Sequence, residues 1–279
     1  MKKLAVLVDS AADISNEEAK QIGIHVIRMP LIVDDVAKLE CDEISDQEFF
    51  DKMKAGAKVK TSQPILGDLI KKWDELLKDY EQILYIPISE GLSGTYSSAQ
   101  IASKEYNNRV VVVRSLLVAY PIQEMAREAL VMADKGISTE EIKDILENQS
   151  GMYAVIVPET LVYLKNGGRI SPAAATLGSL LKIVPLLKLE DGKIDALDKV
   201  RTIKKAYQKS AEYVSAIENK EDYIWYIVHS DCEDRAQEFK ESIQSLIGQE
   251  VHIRPLRSII TAHTGPGTLA IGRVKKLKY

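Results

Sequence analysis

The chain has 279 residues, 46% hydrophobic and 28% charged, with a formal net charge of −4. That length suits one large or two ordinary domains, each able to bury a real core. The mild acidity gives no reason to expect a nucleic-acid partner, no apolar stretch approaches the ~18 residues of a membrane span, and Asp9 interrupts the N-terminal apolar run too early for a signal peptide. Cys41 and Cys232 lie far apart in no ligand spacing, so free thiols and a reducing, cytoplasmic compartment are expected.

Lys3–Val8 reads as a compact strand ending in Asp9-Ser10-Ala11-Ala12-Asp13, with a helix from about Ser15 to Gln21 after it. Ile24–Val33 reads as one extended run. Ser45–Ala55 reads as a helix, with Ser45 its cap and Glu48 placed for a capping box. Thr61-Ser62-Gln63-Pro64 follows, and Pro64 suits the first turn of a helix to about Asp79. The apolar run Ile83–Ile88 is a short buried strand, the turn Ser89–Gly94 comes next, and Thr95–Tyr106 reads as helix. Val110–Val113 is a β-branched strand, and Leu116–Ala133 has a helical pattern ended by Gly136. Ser138-Thr139 open a further helix to Gln149. This alternation predicts an α/β domain over residues 1–150, with a mostly parallel, Rossmann-like sheet.

A second α/β domain is expected over residues 151–279. Met152–Val157 is a strand, and Pro158–Asn166 a short helix closed by Gly167-Gly168. Another helix follows Arg169-Ile170-Ser171-Pro172 and runs to Leu181. Asp191-Gly192 is a hairpin turn between Ile183–Leu189 and Ile194–Leu197. Thr202–Ile217 is an amphipathic helix, Ile224–Val228 a strand, Arg235–Ile247 a helix and Val251–Arg254 a strand. The tail carries His263-Thr264-Gly265-Pro266-Gly267 before a last strand, Leu269–Val274. Hairpins among helices predict a mixed sheet. No linker of low complexity separates the halves, so tight packing is expected.

The most informative stretch is Ile88–Ala99, ISEGLSGTYSSA. A strand feeding a Gly/Ser turn that opens a helix aims backbone N–H groups and the positive end of the helix dipole at an anion. Gly91 and Gly94 are expected to take left-handed conformations, and Ser89, Ser93, Thr95 and Ser97 add hydroxyls.

TSQP, Ser89–Ala99, NGGRIS (Asn166–Ser171), KVRTIKKA (Lys199–Ala206) and HTGPG (His263–Gly267) together resemble the DegV family of bacterial fatty-acid-binding proteins, over roughly residues 4–278. The resemblance implies two tightly packed α/β domains with a ligand tunnel between them and one long-chain fatty acid inside. Thr61 and Ser93 would hold its carboxylate, with Ser62 beside them and a backbone N–H from Gly94. His263, Arg169 and Arg201 match family positions near the carboxyl end. There a separate kinase subunit, similar to dihydroxyacetone kinases, would phosphorylate the acid to an acyl phosphate for membrane lipid synthesis. The carrier would do no chemistry itself and need no cofactor or metal, and transient contact with a membrane surface fits that role.

The physics is consistent with this. A buried carboxylate costs several kcal/mol unless hydrogen-bonded, and hydroxyls at a helix N-terminus supply charge-assisted bonds. About 0.8 kcal/mol per buried CH₂ gives a tail of ~15 methylenes on the order of 12 kcal/mol. Tail burial then sets affinity, and the hydroxyls set orientation. Apolar helices such as Ala173–Leu181 are candidate tunnel walls. The chain departs from the family pattern at Arg114, where an acid is usual, and at Tyr120-Pro121, where small residues are usual; bulk there would shorten or reshape a tunnel.

Two other readings stand beside this one. Ser93 and His263 could be a hydrolase's nucleophile and base, with Asp9 or Asp13 orienting the imidazole, although the turn is not a GxSxG elbow. The turn could also bind a nucleotide or phosphorylated metabolite, although GxGxxG and a Walker lysine are missing.

Overall fold

The computed structural model describes residues 2–177 and 183–279. Its contacts divide into two units: residues 1–49, 57–150 and 277–279, and residues 50–56 and 151–276. No helix among the described residues is long and apolar enough to cross a membrane.

The first unit is built on a four-stranded sheet. Its strands are β1 (Lys2–Asp9), β2 (His25–Ile27), β6 (Tyr80–Ile86) and β7 (Val110–Val112), in the order β2-β1-β6-β7. All three pairings are parallel. Such a sheet is covered on both faces and so needs continuous apolar strands; Ala5–Val8 and Ile83–Ile86 are buried without alternation. Between β2 and β6 a small antiparallel sheet forms from β3 (Pro30–Val33), β4 (Val36–Leu39) and β5 (Val59–Thr61).

The helices up to residue 150 are α1 (Asn16–Ile22), α2 (Asp46–Lys54), α3 (Leu66–Leu76), α4 (Thr95–Ser103), α5 (Tyr120–Asp134) and α6 (Thr139–Gln149); residues 50–54 of α2 count with the second unit. Leu69 and Trp73 of α3 and Ala99 of α4 pack on Leu7, Ile83 and Tyr85 of the main sheet. Capping is local and legible. Ser15 and Glu18 form a capping box on α1, as do Ser138 and Glu141 on α6. The Ser45 hydroxyl accepts from the Glu48 N–H at 3.2 Å at the start of α2.

Three expectations need correction here. The run Ile24–Val33 is two strands in two sheets. It breaks at Arg28, whose guanidinium is drawn inside by Glu40 (3.4 Å) and the Ile14 carbonyl (3.0 Å). Pro30, with no N–H for a ladder, then starts a new sheet. Pro64 precedes α3 instead of lying in its first turn, because Ile65 is the N-cap. Residues 116–119 are not helical, and α5 starts at Tyr120. Leu116 (φ 53°) and Ala119 (φ 63°) are left-handed, held so because the Leu117 carbonyl accepts from the Ser89 N–H (2.8 Å) and the Ala119 N–H donates to the Ala11 carbonyl (2.7 Å). Tertiary bonds override the helical period there.

Ala119, at φ 63° and ψ −146°, occupies a region that is essentially glycine-only, at a cost of about 1–3 kcal/mol. Ala119→Gly is therefore expected to stabilise the protein by about 0.5–2 kcal/mol after glycine's entropy is deducted. Thermal unfolding reads this as a rise of a few degrees; an unchanged or lower midpoint would show the strain to be absent.

The second unit carries a six-stranded mixed sheet in the order β10-β9-β8-β13-β11-β12. The strands are β8 (Met152–Val157), β9 (Val184–Glu190), β10 (Lys193–Val200), β11 (Tyr223–His229), β12 (Val251–Pro255) and β13 (Leu269–Lys275). β11–β12 is parallel and the other pairings are antiparallel. The β9–β10 hairpin turns through Asp191 (φ 49°) and Gly192 (φ 71°), the paired positive φ values of a type I′ turn.

The helices of this unit are α7 (Val162–Gly167), α8 (Pro172–Leu177), α9 (Ile203–Ser215), α10 (Glu233–Ile247) and α11 (Ser258–Thr264). Val214 of α9 and Phe239 and Ile243 of α10 pack with Val155, Trp225 and Ile227 of the sheet. α11 escapes a reading by periodicity, because a seven-residue helix offers under two turns of pattern. The helix expected after Pro172 is described to Leu177; its remainder, residues 178–181, lies outside the described residues, as does that part of the proposed tunnel wall. Neither Cys41 nor Cys232 is in a disulfide.

Candidate functional site

The central turn is shaped by hydrogen bonds that begin at the end of β6. The Ser89 carbonyl accepts from both Leu92 N–H (3.0 Å) and Ser93 N–H (3.1 Å), and the Ser89 hydroxyl accepts from Gly91 N–H (3.2 Å). This knot delivers Ser93 and Gly94 to the N-terminus of α4, with Gly94 as N-cap. The Ser93 Oγ lies 2.8 Å from Thr95 Oγ1 and accepts from the Thr95 N–H at 3.3 Å. Its neighbour in the unit is a threonine. The expectation of left-handed glycines fails at this turn: Gly94 has φ −74°, and neither it nor Gly91 is among the positive-φ glycines.

What Gly94 supplies is room. A Cβ on it would sit 3.0 Å from Gln63 Oε1. Gln63 is the residue by which the TSQP loop reaches the turn, donating from Nε2 to Ser98 Oγ at 3.2 Å. Thr61 ends β5 opposite Leu31, and the Ser62 N–H donates to the Pro30 carbonyl at 3.1 Å. The Ser62 hydroxyl donates to the Gln63 carbonyl at 3.0 Å. Thr61, Ser62 and Ser93 are each half-buried, and Gly94 is exposed. The motif contained Gln63, but nothing in its spacing distinguished a bridging side chain from a solvated one.

A second group forms in the other unit. α7 closes with Gly168 in the left-handed region (φ 67°), its N–H bonded to the Leu164 and Lys165 carbonyls. A Cβ on Gly167 would overlap the His263 ring nitrogen Nδ1, so only glycine lets the end of α7 approach α11 this closely. The Arg169 guanidinium folds back to donate to the Gly167 carbonyl. Burial, and then the Arg169 charge, push the His263 pKa down to about 4. His263 is therefore neutral near pH 7, and the fixed positive charge here is that of Arg169. Arg201 is exposed in the link between β10 and α9, where Thr202 caps α9 by accepting from the Lys205 N–H at 3.2 Å.

The atypical segment after β7 finds local partners. Arg114 donates from Nε to Glu90 Oε1 at 2.7 Å, and its N–H donates to Glu147 Oε1 at 2.8 Å. Burial raises the Tyr96 hydroxyl pKa nearby, with Glu147 and Glu90 adding to the rise. Tyr120 is 2% exposed.

Residues 3–276 match the family described as "Uncharacterised protein, DegV family". A DegV domain-containing protein of Clostridium acetobutylicum is 33% identical over 273 residues, 95% of each chain. A solved DegV family protein from Thermus thermophilus, described by its fatty acid binding, is 28% identical with a TM-score of 0.87 and covers 98% of this chain and 100% of its own. A solved DegV from Bacillus subtilis, described as a fatty acid binding protein, is 29% identical with a TM-score of 0.86, covering 99% and 100%.

Proposed function

Because this chain belongs to the DegV family, we propose that it binds one long-chain fatty acid, with the carboxylate at Thr61, Ser62, Ser93 and the N–H of Gly94. The observation that carries this reading is the junction made by Gln63, which brings the TSQP loop to the N-terminus of α4. Hydroxyls from two loops and the unfilled N–H groups of a helix start are thereby offered on one unit. Ser93 Oγ accepts from the Thr95 N–H, and in its bond with Thr95 Oγ1 either hydroxyl can be the donor, so the pair keeps one proton to offer a carboxylate.

The finer reading is that of a carrier. The bound acid would be presented, without chemistry by this chain, to a separate kinase similar to dihydroxyacetone kinases that forms the acyl phosphate. Arg169 and Arg201 would favour the charge developing in phosphoryl transfer, with His263 contributing as a neutral ring. The expected setting is the cytoplasm, with transient contact at a membrane surface.

The test is organic extraction of purified protein followed by mass spectrometry, expected to return about one fatty acid per chain. Protein that yields no fatty acid, and takes up neither palmitate nor oleate when they are added, would overturn the reading. Recovery of a phosphorylated metabolite instead would favour the other anion.

A further inference from the structure

Three loops of the first unit, each at the carboxyl end of a parallel strand, are bonded to one another. The loop after β7 donates from Ala119 N–H to the Ala11 carbonyl (2.7 Å) of the loop after β1, and accepts at the Leu117 carbonyl from Ser89 N–H (2.8 Å) of the loop after β6. Its Ser115 hydroxyl donates to the Pro87 carbonyl at 2.9 Å. From α5, Gln123 Nε2 donates to the Ala12 (2.7 Å) and Asp13 (3.1 Å) carbonyls. At the centre stands Asp9, with no exposed surface. One of its oxygens accepts from Ala11 N–H at 3.0 Å and the other from Ile88 N–H at 3.0 Å.

This double acceptance requires a carboxylate. An asparagine has one acceptor oxygen, and its amide hydrogens would face the second N–H. Burying an ionised carboxylate costs free energy that an apolar residue would not, and the two N–H groups offset part of that cost while tying two loops together. We propose that Asp9 is a positioning residue for the ligand head group: its two oxygens hold the loops after β1 and β6 in register and so place Ser93. The connection is short, since Ile88 adjoins Ser89, whose carbonyl holds the Ser93 N–H. This rests on the fatty-acid reading above.

Burial raises the Asp9 pKa to about 6 against the lowering effect of the Ile88 and Ala11 N–H groups and the Tyr85 hydroxyl. Tyr85 is the titratable group that meets it from β6, and Asp13 ends the same turn. Gln123 is the uncharged contribution of α5, and β2 pairs Ile27 beside Asp9. A raised folded pKa means that protonated Asp9 favours the fold; that contribution is full below the ordinary value near 4 and lost as pH rises through about 6. Ligand placement runs the other way, because the proton removes an acceptor from one of the two loops. A purely structural Asp9 would move stability and affinity together.

The experiment uses delipidated full-length protein and the fluorescent fatty acid cis-parinaric acid, with affinity and thermal midpoint read at pH 7.5 and 5.5. Asp9→Asn is expected to bind at least about tenfold more weakly than wild type at pH 7.5, a loss larger than any fall in its midpoint accounts for, and this gap should narrow at pH 5.5. The shared ligand cancels the probe's own titration in that ratio. Gln123→Met, which loosens the same loop and leaves the charge, should weaken binding severalfold at both pH values, and it decides the matter should Asp9→Asn not fold. Wild-type affinity in either variant, or a loss that only tracks the midpoint, overturns the proposal while leaving the fatty-acid reading intact. Wild-type protein that takes up no probe at either pH overturns both.

Discussion

Ser93→Ala is expected to weaken fatty-acid binding by roughly 1.5–3 kcal/mol, about 10- to 150-fold, the value of a hydrogen bond to a charged group. Thr61→Ala should lose a similar amount. In the double variant the losses should fall short of their sum, because both hydroxyls would meet one anion and removing the first loosens the geometry of the second. Binding should persist in all three variants, since tail burial on the order of 12 kcal/mol exceeds the head-group contribution. Titration of delipidated protein with one defined fatty acid measures the cycle, and the corresponding methyl ester separates head from tail. The ester should bind wild type and double variant alike. Equal affinity of wild type and double variant for the free acid would place the carboxylate elsewhere.

Gly265→Ala should be the most destabilising small substitution in the HTGPG motif. Gly265 has φ 81° and ψ 156°, a conformation essentially closed to residues with a Cβ, which costs about 1–3 kcal/mol when forced. A Cβ there would also overlap Tyr163 Cδ2, at the base of the ring on α7. The ring cannot yield without moving α7, and overpacking of this kind costs about 1–3 kcal/mol. The expected loss is therefore about 2–5 kcal/mol in the unfolding of the second unit, measured by denaturant titration of wild type and variant. A loss below 1 kcal/mol would show that α7 and α11 move apart freely. The same variant should disturb His263, which Gly167 admits to the end of α7 at similarly close range; an altered His263 ring signal by NMR would register it.

Much of the architecture is legible because it rests on local chemistry. Apolar runs in β1 and β6 require a sheet covered on both faces, Ser45 with Glu48 and Ser138-Thr139 announce helix starts, and Asp191-Gly192 admits few turns other than a type I′ hairpin. The candidate site is legible as motifs, since glycines and hydroxyls in that order are scarce by chance. The roles inside the motifs are less so. Gly94 reads as a left-handed glycine and has φ −74°, His263 matches a position near the carboxyl end and is a neutral ring, and Gln63, with no role expected of it inside TSQP, is the bridge.

Residues 113–119 show where the boundary falls. Leu116 to Ala133 carries a helical period, and a period is a property of the chain alone. Whether its first turn forms depends on what else claims the Leu117 carbonyl and the Ala119 N–H, and Ser89 and Ala11 claim them from 28 and 108 residues away. Asp9 is the same case in electrostatics. From sequence it is one more polar residue at a strand end, and its burial, its raised pKa and its two backbone partners exist only once β1 and β6 lie side by side. Spacing and residue type determine which elements can form and which side chains could meet an anion. Distances between loops, the desolvation of a charge and the room beside a glycine depend on atoms far apart in the chain, so only the folded structure decides them.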